Sequence, residues 1–159
     1  MNCRRLHFSL LLLGLVLTGC ATVTPPEPQP EGLSVGESDA VQVRPGRETS
    51  RPVLALLDKA RDAARQGDLD MAEAQLERAL RIEPRNAILW HYMAKLRLHQ
   101  GRLDQAAGLA AKSNSLDQQQ NTTLQADNWR IIAHARYRHG DVAGARAAQQ
   151  HADDLLKND

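Results

Sequence analysis

The chain has 159 residues, and its 20 basic and 19 acidic side chains leave a formal net charge of only +1. This balance provides no global electrostatic field for nucleic acid, so a nucleic-acid partner is not expected. Both cysteines, Cys3 and Cys20, lie near the N-terminus. The rest of the chain therefore has no thiol for a disulfide or for a cysteine-ligated metal.

Residues 1–19 have the pattern of a secretory leader. Arg4 and Arg5 give a basic start, and an apolar stretch of about ten residues runs from Phe8 to Leu17. A membrane-spanning helix needs ~20 apolar residues. The shorter stretch therefore favours a cleaved leader over a transmembrane anchor.

The leader ends in L-T-G-C at residues 17–20, which resembles the bacterial lipobox. The resemblance implies cleavage before Cys20 and lipidation of this residue with a diacylglycerol and an acyl chain. Several chains anchor stably because each buried methylene contributes ~0.8 kcal/mol. Ala21, rather than Asp, follows the cysteine. In lipoproteins of this kind, that residue favours the outer membrane, with the protein facing the periplasm.

Residues 20–51 are predicted to be a disordered linker. Five of the seven prolines lie in this segment, and few apolar side chains remain to offset the entropy of ordering. The linker would span about 95 Å if fully extended and nearer to ~30 Å as a flexible coil. It either sets how far the domain stands from the membrane or is a spacer whose length is not selected.

Residues 52–157 contain an internal repeat. Gly67 and Gly101 are 34 residues apart, and Gly140 follows after 39, so five residues are inserted before the third copy. Each copy has a large apolar residue, a small residue four positions later, a glycine and then an alanine. These positions are Leu56, Ala60, Gly67 and Ala72, then Trp90, Ala94, Gly101 and Ala106, then Trp129, Ala133, Gly140 and Ala145.

The period and its markers resemble the tetratricopeptide repeat. The resemblance implies an all-α fold, a short solenoid of three helix pairs, although the closing proline, Pro84, is present only in the first copy. The expected repeats span about 53–86, 87–120 and 126–157. The expected helices span about 52–66, 69–82, 86–100, 103–115, 123–139 and 142–156.

No motif for catalysis is present. The chain has no H-E-x-x-H, no phosphate-binding glycine loop and no G-x-S-x-G. His134 and His139 are five residues apart, which does not place them on one helix face. We therefore expect no enzyme activity, no cofactor and no metal site.

The resemblance implies that partners bind to the concave wall formed by the first helix of each pair. The positions expected there include no acidic residue, although Asp58 lies beside them. Such a groove suits an extended peptide with acidic side chains or a free carboxylate. The alternative is a solvated basic face without a ligand. The predicted groove residues are Leu57, Arg61, Arg65, His91, Tyr92, Lys95, Leu98, His99, Arg130, His134, Tyr137 and Arg138.

Trp90 and Trp129 occupy the aromatic position of the repeat. There they are expected to pack neighbouring repeats together in the core. The alternative is that they are anchors at an interface with a partner.

A lipidated cysteine, a proline-rich tether and a short repeat domain together resemble the LpoP-type activators of class A penicillin-binding proteins. The resemblance implies a protein partner, the regulatory region of a peptidoglycan synthase, and stimulation of its glycan polymerisation and crosslinking. The alternatives are a scaffold for assembly of a pilus secretin or an outer-membrane protein, and a protease adaptor. The oligomeric state is left open because no polar capping helix follows the last pair.

Overall fold

The computed structural model describes residues 49–157, and this part of the chain is all-helical. The predicted all-α fold is confirmed. The leader, Cys20 and the linker up to residue 48 lie outside the described residues. Within residues 49–157, no helix has the length and apolar character needed to cross a membrane. The helices are α1 (Arg51–Arg65), α2 (Leu69–Ile82), α3 (Ala87–His99), α4 (Leu103–Leu116), α5 (Thr122–Arg138) and α6 (Val142–Lys157).

The helices form three consecutive pairs, α1 with α2, α3 with α4 and α5 with α6. The pairs stack because α2 packs on α3, α4 packs on α5, and α3 also contacts α5. We call α1, α3 and α5 the A helices, and α2, α4 and α6 the B helices. The A helices form one layer and the B helices the other, which is the arrangement the repeat predicts.

The turns within the pairs explain the recurring glycines. Gly67, Gly101 and Gly140 have φ values of +79°, +72° and +82°, in the left-handed region that only glycine adopts without strain. In each turn, the amide after the glycine donates to a carbonyl five residues earlier, at 2.8 to 3.0 Å. This closure satisfies the free carbonyls at the helix end and reverses the chain at the same point in every repeat.

The five inserted residues lengthen the loop before α5. Asn121 caps this helix by accepting a hydrogen bond from the Leu124 amide at 3.0 Å. Asp117 Oδ2 accepts from the Asn121 amide at 2.7 Å and from Gln125 Nε2 at 2.9 Å. The insertion is therefore tied to α5 and leaves the position of that helix in the stack unchanged.

Large aliphatic side chains fill the core between the helix layers. Leu57, Leu89, Leu124 and Ile131 are at most 1 % exposed, and each such burial contributes roughly 1.5–3 kcal/mol. The alanines four positions after the aromatic site are also buried, which allows the helices to approach closely. They are Ala60, Ala94 and Ala133.

The two tryptophans have different surroundings. Trp129 packs against the core cluster that contains Ile131 and contacts the His151 ring, with 4.6 Å between ring centroids. This agrees with the expected core role. Trp90 is half-buried and lines an open cleft between helices. Its indole N–H donates to the Pro84 carbonyl at 2.8 Å, so one edge of the ring is fixed.

Candidate partner-binding groove

The predicted groove residues form three rows across the A helices, because they keep the 34- and 39-residue offsets of the repeats. The first row is Leu57, His91 and Arg130. The second row is Arg61, Lys95 and His134. The third row is Arg65, His99 and Arg138, each two residues before the turn glycine.

The first row is mostly buried, which corrects the expectation that it lines the groove. Leu57 and His91 are each 1 % exposed. Leu57 belongs to the core, and His91 is enclosed where α3 meets α5. The Arg130 side chain remains 28 % exposed. Leu57 packs in the core and His91 lies at the contact of α3 with α5, so this row supports the wall and offers little binding surface.

His91 belongs to a buried hydrogen-bond network that joins α3, α4 and α5. Ser113 Oγ donates to the Ala87 carbonyl, and Asn128 Nδ2 donates to Ser113 Oγ, both at 2.8 Å. Asn128 Oδ1 therefore faces His91 Nδ1, 2.8 Å away, as an acceptor. Asn128 and Ser113 are fully buried. The network fixes the spacing of the A helices and the direction of the His91 ring.

Ser113 and Asn128 are not among the residues that the sequence predicts for this wall. A signal was available at Asn128, which lies four residues after Leu124 and three before Ile131, both buried on one face of α5. A polar side chain at such an inward position needs buried partners.

A carboxylate lies in the groove, contrary to the expectation of an acid-free surface. Asp127 Oδ2 is 3.3 Å from His91 Nε2 and 3.8 Å from Lys95 Nζ. Burial raises the pKa of Asp127. The contact with His91 and the charges of Lys95 and Arg130 lower this pKa, and together they outweigh the effect of burial. The pKa of Asp127 thus falls below its ordinary value, and the carboxylate stays ionised.

Two other groove cations are paired within α1. Arg61 lies 3.8 Å from Asp58, and Arg65 contacts Asp62. These carboxylates stand three residues before their partners, at the spacing that brings helical side chains together. The basic excess indicated by the sequence is therefore largely neutralised.

The third row retains one cation, Arg138, and the imidazole of His99. His99 and Arg138 are exposed, and neither has a carboxylate partner among residues 49–157. Both lie in the last turn of an A helix, where a positive charge also stabilises the helix dipole. They are the basic side chains of the groove that are available to an acidic partner.

Aromatic side chains stand beside these rows. Tyr92 is half-buried, with the Arg61 guanidinium 5.8 Å from its ring centroid. Burial raises the pKa of the Tyr92 phenol, so it stays neutral. Tyr137 is half-buried against the second core cluster, as is Leu98. The wall thus offers aromatic surface, hydroxyl groups and two basic side chains, which suit non-covalent contact with a peptide.

Residues 49–157 contain no cluster of three or more His, Cys, Asp or Glu side chains arranged to hold a metal ion. The interactions available on this wall are hydrogen bonds, ion pairs and aromatic contacts.

Comparisons with known proteins agree with this architecture. A tetratricopeptide-repeat family model matches residues 63–126. The solved structure of the globular C-terminal domain of P. aeruginosa LpoP is similar, with 42% sequence identity and a TM-score of 0.62. The match covers 65% of this chain and 97% of that domain. No curated protein sequence matches the chain.

Proposed function

Because the chain belongs to the LpoP family of tetratricopeptide-repeat proteins, we propose that it activates a class A penicillin-binding protein. The domain is a protein–protein interaction module. The observation that carries the proposal is the 42% identity to LpoP over nearly all of its globular domain. A peptidoglycan synthase is then the partner.

Activation by such a module acts through binding. A bound protein shifts the conformational equilibrium of its partner only by the difference in its affinity for the two states. The repeat domain therefore binds the productive conformation of the synthase more tightly than the resting one. A factor of about ten in activity needs a difference of about 1.4 kcal/mol, which a few well-placed contacts supply.

The wall of A helices is the proposed contact surface. This wall carries Tyr92, Tyr137, His99 and Arg138. The hydrogen-bond network around Asn128 fixes the spacing of its helices. Because the helices are already positioned, little ordering entropy is lost on binding. The partner segment is extended and carries acidic side chains or a free carboxylate.

The proposed location is the periplasmic face of the outer membrane, with the lipid on Cys20 as the anchor. The residues from 21 to 48 then connect the anchor to Thr49, where the described domain begins. This arrangement brings the domain to a synthase through the lipid anchor.

The function is tested by purifying residues 21–159 and adding them to a class A synthase from the same cell. The expected result is faster glycan polymerisation together with direct binding. Absence of both stimulation and binding would contradict the proposal and favour an assembly scaffold or a protease adaptor.

The anchor is tested separately by Cys20→Ser in the full chain. This variant should move from the membrane fraction to the soluble periplasmic fraction, because the acyl chains have no attachment site. Cys3→Ser is the matched control, and it should stay in the membrane fraction. Retention of Cys20→Ser in the membrane would refute lipidation at this residue.

A further inference from the structure

A second surface shares no lining residue with the groove. It is a cleft of about 700 Å³ between α2, α3 and α4. Five apolar residues form its floor and walls, namely Leu80, Pro84, Trp90, Met93 and Leu109. Its volume is within the range of pockets that bind small ligands or a few residues of a peptide.

One residue on the border of the cleft has no side chain. Gly108 lies in α4 on its border, where the first and third repeats have Ala74 and Ala147. A Cβ added at Gly108 would meet no atom within 4 Å. A larger side chain at this position would therefore cover the cleft without straining the helix.

The charged residues around the cleft are mostly basic. Lys112 Nζ lies 3.4 Å from the centroid of the Trp90 ring, a cation–π contact. Arg81 is exposed on the border, and Glu77 is the acidic side chain beside it. Arg97 also lines the cleft, but Glu73 neutralises it.

The chain enters the described domain at a second cavity, which shares Pro84 with this cleft. Asn86 Nδ2 donates to Thr49 Oγ1 at 3.2 Å, and the Ser50 amide donates to Glu83 Oε1 at 2.9 Å. Pro84, a wall of the cleft, lies between these two attachment points in sequence. The residues that precede Thr49 therefore start in the cavity that adjoins the cleft at Pro84.

We propose that the cleft binds the chain's own proline-rich segment, T-P-P-E-P-Q-P, residues 24–30. Proline-rich segments dock on aromatic-lined grooves because their extended backbone loses little entropy when it binds. Glu27, and Glu31 directly after the segment, complement the positive charges of Arg81 and Lys112. Three features thus favour this segment as the occupant: the aromatic surface of the cleft, its charge and the position where the chain enters the domain.

The connecting chain permits this contact. Residues 31–48 form a connection of 18 residues, whose flexible-coil span is ~24 Å. A connection of this length gives a local concentration of the order of millimolar, so a weak contact is substantially occupied. Docking leaves only residues 21–23 between Cys20 and the docked segment, which keeps the domain close to the anchor. Release restores the full reach of the tether.

This inference does not depend on the proposed partner, and it is tested without a synthase. Residues 20–159 retain the tether and the whole described core, and they contain only two tryptophans, Trp90 and Trp129. NMR compares the two indole N–H signals in two proteins, one with the wild-type tether and one with a changed tether. In the changed tether, Ser replaces Pro25, Pro26, Pro28 and Pro30. The expected result is a shift of the Trp90 signal, with the Trp129 signal unchanged.

The matched variants are Gly108→Leu, which covers the cleft, and Ala147→Leu at the same position of the third repeat. Gly108→Leu should also favour the helix, so loss of folding does not confuse the result. In the Gly108→Leu background, replacing the prolines should no longer shift the Trp90 signal. In the Ala147→Leu background, the shift should remain.

Three outcomes would overturn the proposal. One is no Trp90 shift on removal of the prolines, and another is the same shift with Gly108→Leu present. The third is a shift that grows with protein concentration, because it would assign the bound segment to a second copy. A synthetic peptide of residues 22–33, added to the proline-free chain, should move the Trp90 signal back at millimolar concentration.

Discussion

At the scale of single residues, one ion pair joins the first two repeats. Arg97 donates from both terminal nitrogens to Glu73 at 2.5 Å, and Gln100 Nε2 donates to the same carboxylate at 3.1 Å. These hydrogen bonds, chiefly those from Arg97, lower the pKa of Glu73 to about 2. The pair is bidentate and half-buried, so it contributes more than an exposed pair would.

This pKa gives a stability prediction. In the unfolded chain, Glu73 takes up a proton near its ordinary pKa of 4.5. In the folded protein, the pKa of Glu73 is about 2, so the carboxylate is protonated only at a lower pH. The stabilisation is therefore complete above the unfolded pKa and is lost as the pH falls toward the folded one. Glu73→Gln should lower the free energy of unfolding at pH 7 by about 1–3 kcal/mol and remove this part of the acid dependence.

The measurement is urea unfolding of the wild type and the variant at neutral and acid pH. Glu77→Gln, one turn further along α2 and exposed, is the control and should keep the wild-type pH dependence. An unchanged acid dependence in Glu73→Gln would show that the pair contributes nothing.

The buried network gives a second prediction. Asn128→Ala removes the acceptor for His91 Nδ1 and the donor for Ser113 Oγ. It should lower the free energy of unfolding by about 2–3 kcal/mol, since buried polar groups lose their partners. Gln119→Ala in the exposed loop should change it by less than ~0.5 kcal/mol. Equal effects in chemical denaturation would contradict this role for Asn128.

At the scale of elements, the sequence predicted the helices closely. The expected start at 69 and the expected end at 82 coincide with α2, and α5 begins one residue before its expected start. Glycine turns and helix caps are local signals, so they can be located without knowledge of the fold.

The groove was predicted less well, for a physical reason. Burial of His91 and neutralisation of Lys95 both depend on Asp127 and Asn128, which belong to another repeat. Spacing along one helix places a residue on a face, but it does not say which side chains lie opposite. The cleft beside Trp90 also arises from three helices together.

Two glycines give opposite predictions at this scale. Gly101 has a φ of +72°, so Gly101→Ala should destabilise the domain by ~1 kcal/mol through backbone strain. Gly108 lies within α4 with open space around it, so Gly108→Ala should stabilise the domain by roughly 0.5–1 kcal/mol. Thermal unfolding measures both. Changes in the same direction would contradict the account of either glycine.

At the scale of the whole molecule, the two surfaces have separate roles. The wall of A helices is proposed to bind the synthase, and the cleft between α2, α3 and α4 is proposed to hold the tether. The two surfaces share α3 but no lining residue, so a substitution in one can leave the side chains of the other unchanged. Under the two proposals together, the molecule is an interaction module with control over how far that module reaches.

The most direct test is an equilibrium binding measurement between residues 20–159 and a class A synthase. One variant combines His99→Glu and Arg138→Glu on the wall, and its control, Arg146→Glu, reverses an exposed charge on α6. The control and the wild type should bind alike, while the double variant should bind at least about tenfold more weakly, corresponding to ~1.4 kcal/mol. Equal affinity for all three, or a loss confined to Arg146→Glu, would contradict the account.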